Sequence, residues 1–79
     1  MIAAAATAAW PPGHARESDP HITGVVEHVL LAAGRALVGP SAAPVELEPG
    51  DYIAYPGDAP HLFEALAAGT WATLVVEYT

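Results

Sequence analysis

Apolar residues come along this chain in short runs, each closed by Gly, Pro, Ser or Asp. Val25 to Ala32 holds Val25, Val26, Val29, Leu30 and Leu31 and reads as a strand. Ala33-Gly34 turns the chain, and Arg35 to Val38 returns it before a break at Gly39-Pro40-Ser41. Val45 and Leu47 alternate with Glu46 and Glu48, the pattern of a half-exposed strand. Pro49-Gly50 suits the central pair of a type II turn, with glycine supplying the positive φ. Asp51 to Tyr55 is a strand, and residues 56–60 form a tight loop. His61 to Leu66 fits strand or helix by local pattern. Ala67-Ala68-Gly69 is a turn, and Thr70 to Tyr78, rich in Thr, Val, Trp and Tyr, is a last strand. Ala3 to Ala9 consists of good helix formers but lacks a cap and a 3.6-residue period, so an edge strand is expected there. Residues 11–20 read as loop. Six or seven short strands with regular turn signals predict an all-β sandwich or barrel.

At 79 residues the chain is one domain, 1–79. A chain of this size buries only about 60% of its unfolded surface. Its apolar residues are mainly small, so the core depends on close backbone approach. Strand edges left open by so small a fold need cover. The expectation is a homodimer, formed by sheet extension through a terminal strand.

The net charge of −7, with Arg16 and Arg35 the only fixed cations, excludes direct nucleic-acid binding and an anionic membrane surface as partner. There are no cysteines, hence no disulfide, no thiolate metal site and no Cys nucleophile; this fits a reducing cytoplasm. Met1 to Ala9 has no Lys or Arg and stops at Trp10-Pro11-Pro12, unlike a signal peptide. No run approaches the roughly 20 apolar residues of a membrane-spanning helix. Without lysine there is no phosphate-binding glycine loop of the usual kind. Ser18 and Ser41 stand in no nucleophile motif.

Candidate chemistry gathers in two segments, His21 to Gly34 and Gly50 to His61. Two imidazoles and a carboxylate, His21, Glu27 and His61, make a 2-His-1-carboxylate set suited to a divalent Fe, Mn, Ni or Zn ion. Residues 21 and 27 are an even number apart, so an extended strand shows both on one face. The alternative is that the histidines and Glu27 form a hydrogen-bonded polar group lining a ligand pocket. Tyr52, Tyr55, Phe63 and Trp71, with Thr23, are candidates for an aromatic-walled pocket for a small, partly apolar ligand. His28 follows Glu27 and must face the other side of its strand, at a surface or interface. His14 lies in the first loop. Gly34 and Gly50 are structural turn residues, and Asp51 is placed to bond the turn backbone. Arg35 either clamps a carboxylate ligand or pairs with a surface Glu.

The run His21-Ile22-Thr23-Gly24-Val25-Val26-Glu27, followed by Gly34, resembles the first motif of the cupin superfamily, H-x-H-x3,4-E-x6-G. The run from Gly50 through Pro56 to His61 resembles the second, G-x5-P-x-G-x2-H-x3-N. The motifs cover residues 21–65. The phrases HITGVVEHVLLAAGRALVG and VELEPGDYIAYPGDAPHLFEAL are similar to the C-terminal, effector-sensing half of helix-turn-helix–cupin transcription regulators. This chain contains no helix-turn-helix, so it is expected to be a stand-alone relative or a detached half. The resemblance implies a small double-stranded β-helix, or jelly-roll, barrel. It also implies that His21, Thr23, Glu27 and His61 occupy the four metal-ligand positions. Thr23 stands where the second His is usual, Asp58 at the second-motif Gly and Ala65 at the Asn, so the ligand set is depleted.

The function expected on this basis is non-catalytic binding of a small organic ligand by a sensing module linked to transcriptional regulation, any effect on DNA running through a DNA-binding partner. The alternative is a metal-dependent cupin dioxygenase or isomerase built on His21, Glu27 and His61. A third is a structural barrel without ligand.

Overall fold

The computed structural model describes the backbone of residues 2–10, 15–18 and 23–78 and the side chains of residues 23–78. It contains eight strands: β1 (Ile2–Trp10), β2 (Ala15–Ser18), β3 (Val26–Ala33), β4 (Ala36–Pro40), β5 (Val45–Leu47), β6 (Tyr52–Pro56), β7 (His61–Ala65) and β8 (Thr70–Glu77). Among the described residues there is no helix. The strands form two four-stranded antiparallel sheets, in the orders β1-β8-β3-β6 and β2-β7-β4-β5. This is the expected all-β, double-sheet jelly-roll class.

Two elements depart from the sequence reading. Residues 11–20 contain β2, which pairs with β7 from Ala15↔Glu64 to Ser18↔His61. Its composition carries no strand signal; the open edge of β7 supplies the ladder. The break expected at Gly39-Pro40 falls later, because both residues still pair with β7, as Gly39↔Leu62 and Pro40↔His61. Proline at the last position of a strand forfeits little of the ladder. His61 to Ala65, ambiguous from local pattern, is strand, paired on both sides by β2 and β4. Residues 2–10 form the edge strand expected there, against β8.

Strand β3 sets the inside and the outside. Glu27, Val29 and Leu31 are buried, while Leu30 is exposed. The apolar core lies between the sheets and joins Val29, Leu31, Ala36, Val38, Leu47, Tyr55 and Ala72, with Ile53, Phe63 and Leu74 packed against it. The interior therefore turns from polar at Glu27 to apolar at Leu31.

The end of the fold beyond Leu31 is locked by one threonine. Thr70 is completely buried. Its hydroxyl donates to the Ala67 carbonyl at 2.7 Å and accepts from the Arg35 amide at 3.3 Å. Gly34, at φ 81°, passes so close that a Cβ there would sit 2.6 Å from the Thr70 Cα. Gly50, at φ 91°, has nothing within 4 Å of such a Cβ. It closes the predicted type II turn, in which the Asp51 amide donates to the Glu48 carbonyl at 2.9 Å and Asp51 Oδ2 accepts from the Glu48 amide at 2.9 Å. Both glycines are turn residues, but only one is also a packing residue.

The expected consequence is unequal. Gly50→Ala costs about 1 kcal/mol, the left-handed penalty alone, whereas Gly34→Ala costs about 3 kcal/mol because the backbone must also shift. Denaturant midpoints of the two variants measure the difference; equal losses would refute the packing role of Gly34.

Candidate functional site

Glu27 and Tyr55 are cross-strand partners on β3 and β6, so both side chains enter the interior from one sheet. His61 enters from β7 in the other sheet. All three are almost completely buried. The Tyr55 hydroxyl donates to Glu27 Oε1 at 2.8 Å. His61 Nε2 lies 3.0 Å from Glu27 Oε2. The Tyr55 and His61 rings stand 5.7 Å apart at a tilt of 43°. Phe63, two residues from His61, packs on the apolar side of this group.

The protons can be assigned by elimination. His61 Nδ1 is 2.9 Å from the Ala59 carbonyl, which has no proton to offer, so Nδ1–H donates. That directs Nε2 at the carboxylate. Nε2 and Oε2 then face each other as a close, buried pair. Breaking a buried pair by removing one partner typically costs about 3–5 kcal/mol.

Tyr55 is pushed well above the ordinary phenol range, first by burial, then by the negative charge of Glu27 and by its bond to that carboxylate. Its folded-state value thus exceeds its unfolded value. The resulting stabilisation is complete below about pH 10, the unfolded value, and is lost as pH rises beyond it.

The loop between the motifs is fastened to the start of β3. Asp58 Oδ2 accepts from the Gly24 amide at 3.1 Å, and the Gly57 amide donates to the Val25 carbonyl at 2.8 Å. Asp58, at the position usual for glycine, thereby ties the second motif to the first. Thr23 stands exposed in the turn before β3. His21 and His14 lie outside the described residues. Among the described residues no group of three or more His, Asp or Glu is arranged to hold a metal ion. Glu27 and His61, two of the three residues of the 2-His-1-carboxylate set, are brought together in the interior.

The aromatic candidates divide. Tyr55 and Phe63 are interior, but Tyr52 and Trp71 are 58% and 41% exposed and stand on the outer face of their sheet. Parity explains both corrections. Tyr52 is an odd number of residues from Tyr55, and Trp71 lies between the buried Thr70 and Ala72. His28 is on that outer face, as expected. Its Nε2–H donates to Glu77 at 2.9 Å, Nδ1 is bonded to the Tyr52 hydroxyl, and the two rings stack with centroids 5.9 Å apart. This cluster was not legible as a group from the sequence, since Tyr52 and Glu77 reach His28 diagonally across two ladders. Arg35 is half exposed and pairs loosely with Glu46 at 3.7 Å, the surface role.

Tyr55→Phe is expected to lower stability by about 2 kcal/mol at neutral pH, the loss of a hydrogen bond to a charged group. It should also remove part of the alkaline instability. Unfolding measured between about pH 9 and 11 should show a steeper decline in the unsubstituted protein. Parallel declines would mean that the phenol is not held neutral by burial beside Glu27.

No protein-family model matches the sequence, and no curated protein matches it. Solved structures do. A cupin domain of an XRE-family transcriptional regulator from Enterobacter cloacae superposes with TM-score 0.80 at 27% identity, over 87% of this chain and 74% of that one. An HTH_3-family transcriptional regulator from Vibrio cholerae gives TM-score 0.84 at 27% identity, over 92% of this chain but only 40% of that protein. A mannose-6-phosphate isomerase candidate from Ralstonia eutropha JMP134 matches at TM-score 0.53 and 22% identity, over 95% of this chain and 65% of that one, a likeness of fold alone. With two facing antiparallel sheets, both motif spacings and these likenesses in agreement, the chain belongs to the cupin superfamily.

Proposed function

We propose that this protein is a non-catalytic cupin that binds a small organic ligand and acts as an effector-sensing module in transcriptional regulation. The observation that carries the reading is the Glu27–His61 bond. His61 Nε2 lies 3.0 Å from Glu27 Oε2 in the buried interior. Tyr55 occupies the other carboxylate oxygen. What remains is a preorganised polar group at the end of an apolar interior, the composition of a small-molecule site. The likeness to a cupin domain of one transcriptional regulator and to part of a second regulator supports the link to regulation. Signalling to DNA then needs a DNA-binding partner, because the chain carries a net charge of −7. The absence of cysteine fits work in the cytoplasm.

A second reading has one observation in its favour. His61 donates its Nδ1–H to a backbone carbonyl and turns Nε2 inward, which is how metal-binding histidines are usually oriented. In that reading His21 would join Glu27 and His61 in a dioxygenase or isomerase site.

Elemental analysis of protein purified without chelator or metal-affinity tag decides between them. The expected result is substoichiometric Fe, Mn, Ni and Zn, with no uptake on titration, while a panel of small organic acids, amines and sugars contains compounds that raise the melting temperature. Glu27→Gln should weaken such binding by about tenfold, the loss of a charged hydrogen-bond partner. Near-stoichiometric metal that disappears in His61→Ala would overturn the sensor reading in favour of the enzyme.

A further inference from the structure

The chain has two fixed cations, Arg16 and Arg35. Arg35 works on the surface: its side chain is 51% exposed and lies 3.7 Å from Glu46. Arg16 is placed differently. It belongs to β2, whose ladder pairs Arg16 with Phe63 and Ser18 with His61. Residues directly paired in a ladder share one face of the sheet. The same face continues into β4, where Ala36, Val38 and Pro40 pair with Ala65, Phe63 and His61. Ala36, Val38, Ala65 and His61 are buried, and Phe63 packs on the apolar core. Arg16 and Ser18 therefore hold register positions on the inner face of the second sheet, and Ala15 and Glu17 hold outer ones.

A strand that did no more than cover a core would carry apolar residues at its inner positions. β2 carries an arginine and a serine there, both hydrogen-bond donors. Beside them, the Tyr55 hydroxyl already donates to Glu27 and His61 Nδ1–H to the Ala59 carbonyl. The inner face of β2 thus adds donors and one positive charge where the interior passes from apolar Phe63 to polar His61. A guanidinium is planar, and its paired N–H groups match the two oxygens of a carboxylate. One such cation balances one carboxylate. The second charge of a phosphate would find no second fixed cation, because Arg35 is on the outside. We propose that the ligand is a small organic carboxylate whose acid group is bound by Arg16, its apolar part lying along Phe63. This rests on the small-molecule-binding reading above and narrows it to one class of ligand. The rival role for Arg16 is edge protection. β2 is an outer strand of its sheet, and a charge at an inward position deters pairing with another chain. That role requires no response to any ligand.

Calorimetric titration of the intact chain with isobutyrate, benzoate, lactate and succinate, each beside its amide, tests the proposal. The expected result is that at least one acid binds and its amide does not. Arg16→Gln should weaken that acid by roughly tenfold or more, the loss of a charge-assisted hydrogen bond. Arg16→Lys should retain part of the affinity, since it keeps the charge and loses the fork, and Arg35→Gln should change nothing. Circular dichroism checks that each variant is folded. Amides that bind as well as acids would overturn the proposal, as would inorganic phosphate binding as tightly. So would acid affinity that survives Arg16→Gln while the variant aggregates, which would assign edge protection, or affinity that falls equally in Arg35→Gln. If no acid binds but amines or sugars raise the melting temperature, the carboxylate assignment fails and the sensing reading stands. Near-stoichiometric metal lost in His61→Ala would instead remove the sensing reading, and this proposal with it.

Discussion

A carboxylate buried between two sheets must be held by hydrogen-bond donors, or the fold pays the full cost of taking a charge out of water. Glu27 meets this demand from both sides. Tyr55, its neighbour on the adjacent strand, serves one oxygen, and His61, from the opposite sheet, serves the other. The second contact is a polar bond between the sheets at the end where the apolar core gives out. Burial and the neighbouring Glu27 together hold the Tyr55 phenol neutral, and the Ala59 carbonyl orients His61. Fold and site therefore depend on the same three side chains.

The two ends of the interior are closed by different means. Beyond Leu31, packing does it: Thr70 is buried against a glycine that leaves no room for a side chain. Near Glu27, hydrogen bonds do it: Asp58 and Gly57 fasten the loop after β6 to the residues before β3. Asp58 is instructive. Against the motif it counts as a departure, yet its carboxylate joins the two motif segments through the Gly24 amide. A residue that departs from a ligand pattern can still stabilise the loop that carries the pattern.

The surface shows a similar division. Among the described residues the surface acids are gathered on the second sheet and in the turns, and the outer face of the first sheet carries one, Glu77, bonded to His28. Such segregation has little to do with folding a single chain, since exposed Leu30, Tyr52 and Trp71 contribute little to the core of their own copy. His28 illustrates the separation. It is next to Glu27 in sequence, but the pleat sends one side chain into the interior and the other to the outer face.

The sequence by itself determined the class of fold, the turns and the order of most strands. Alternation along β3, the Pro49-Gly50 pair and the β-branched run of β8 act locally, within a few residues, and so can be read locally. It also brought Glu27 and His61 into one candidate group through motif spacing. Only the tertiary structure decided what that spacing leaves open. Strand β2 exists because β7 offers an unpaired edge, not because Ala15 to Ser18 favour a strand. Tyr52 and Trp71 lie outside because their parity is fixed by the ladder they join. The orientation of His61 toward Glu27 follows from the Ala59 carbonyl, which the loop before β7 places at Nδ1. The His28–Tyr52–Glu77 cluster needs three strands in register. These are consequences of pairing between distant segments, and no local pattern encodes which partner a strand will find.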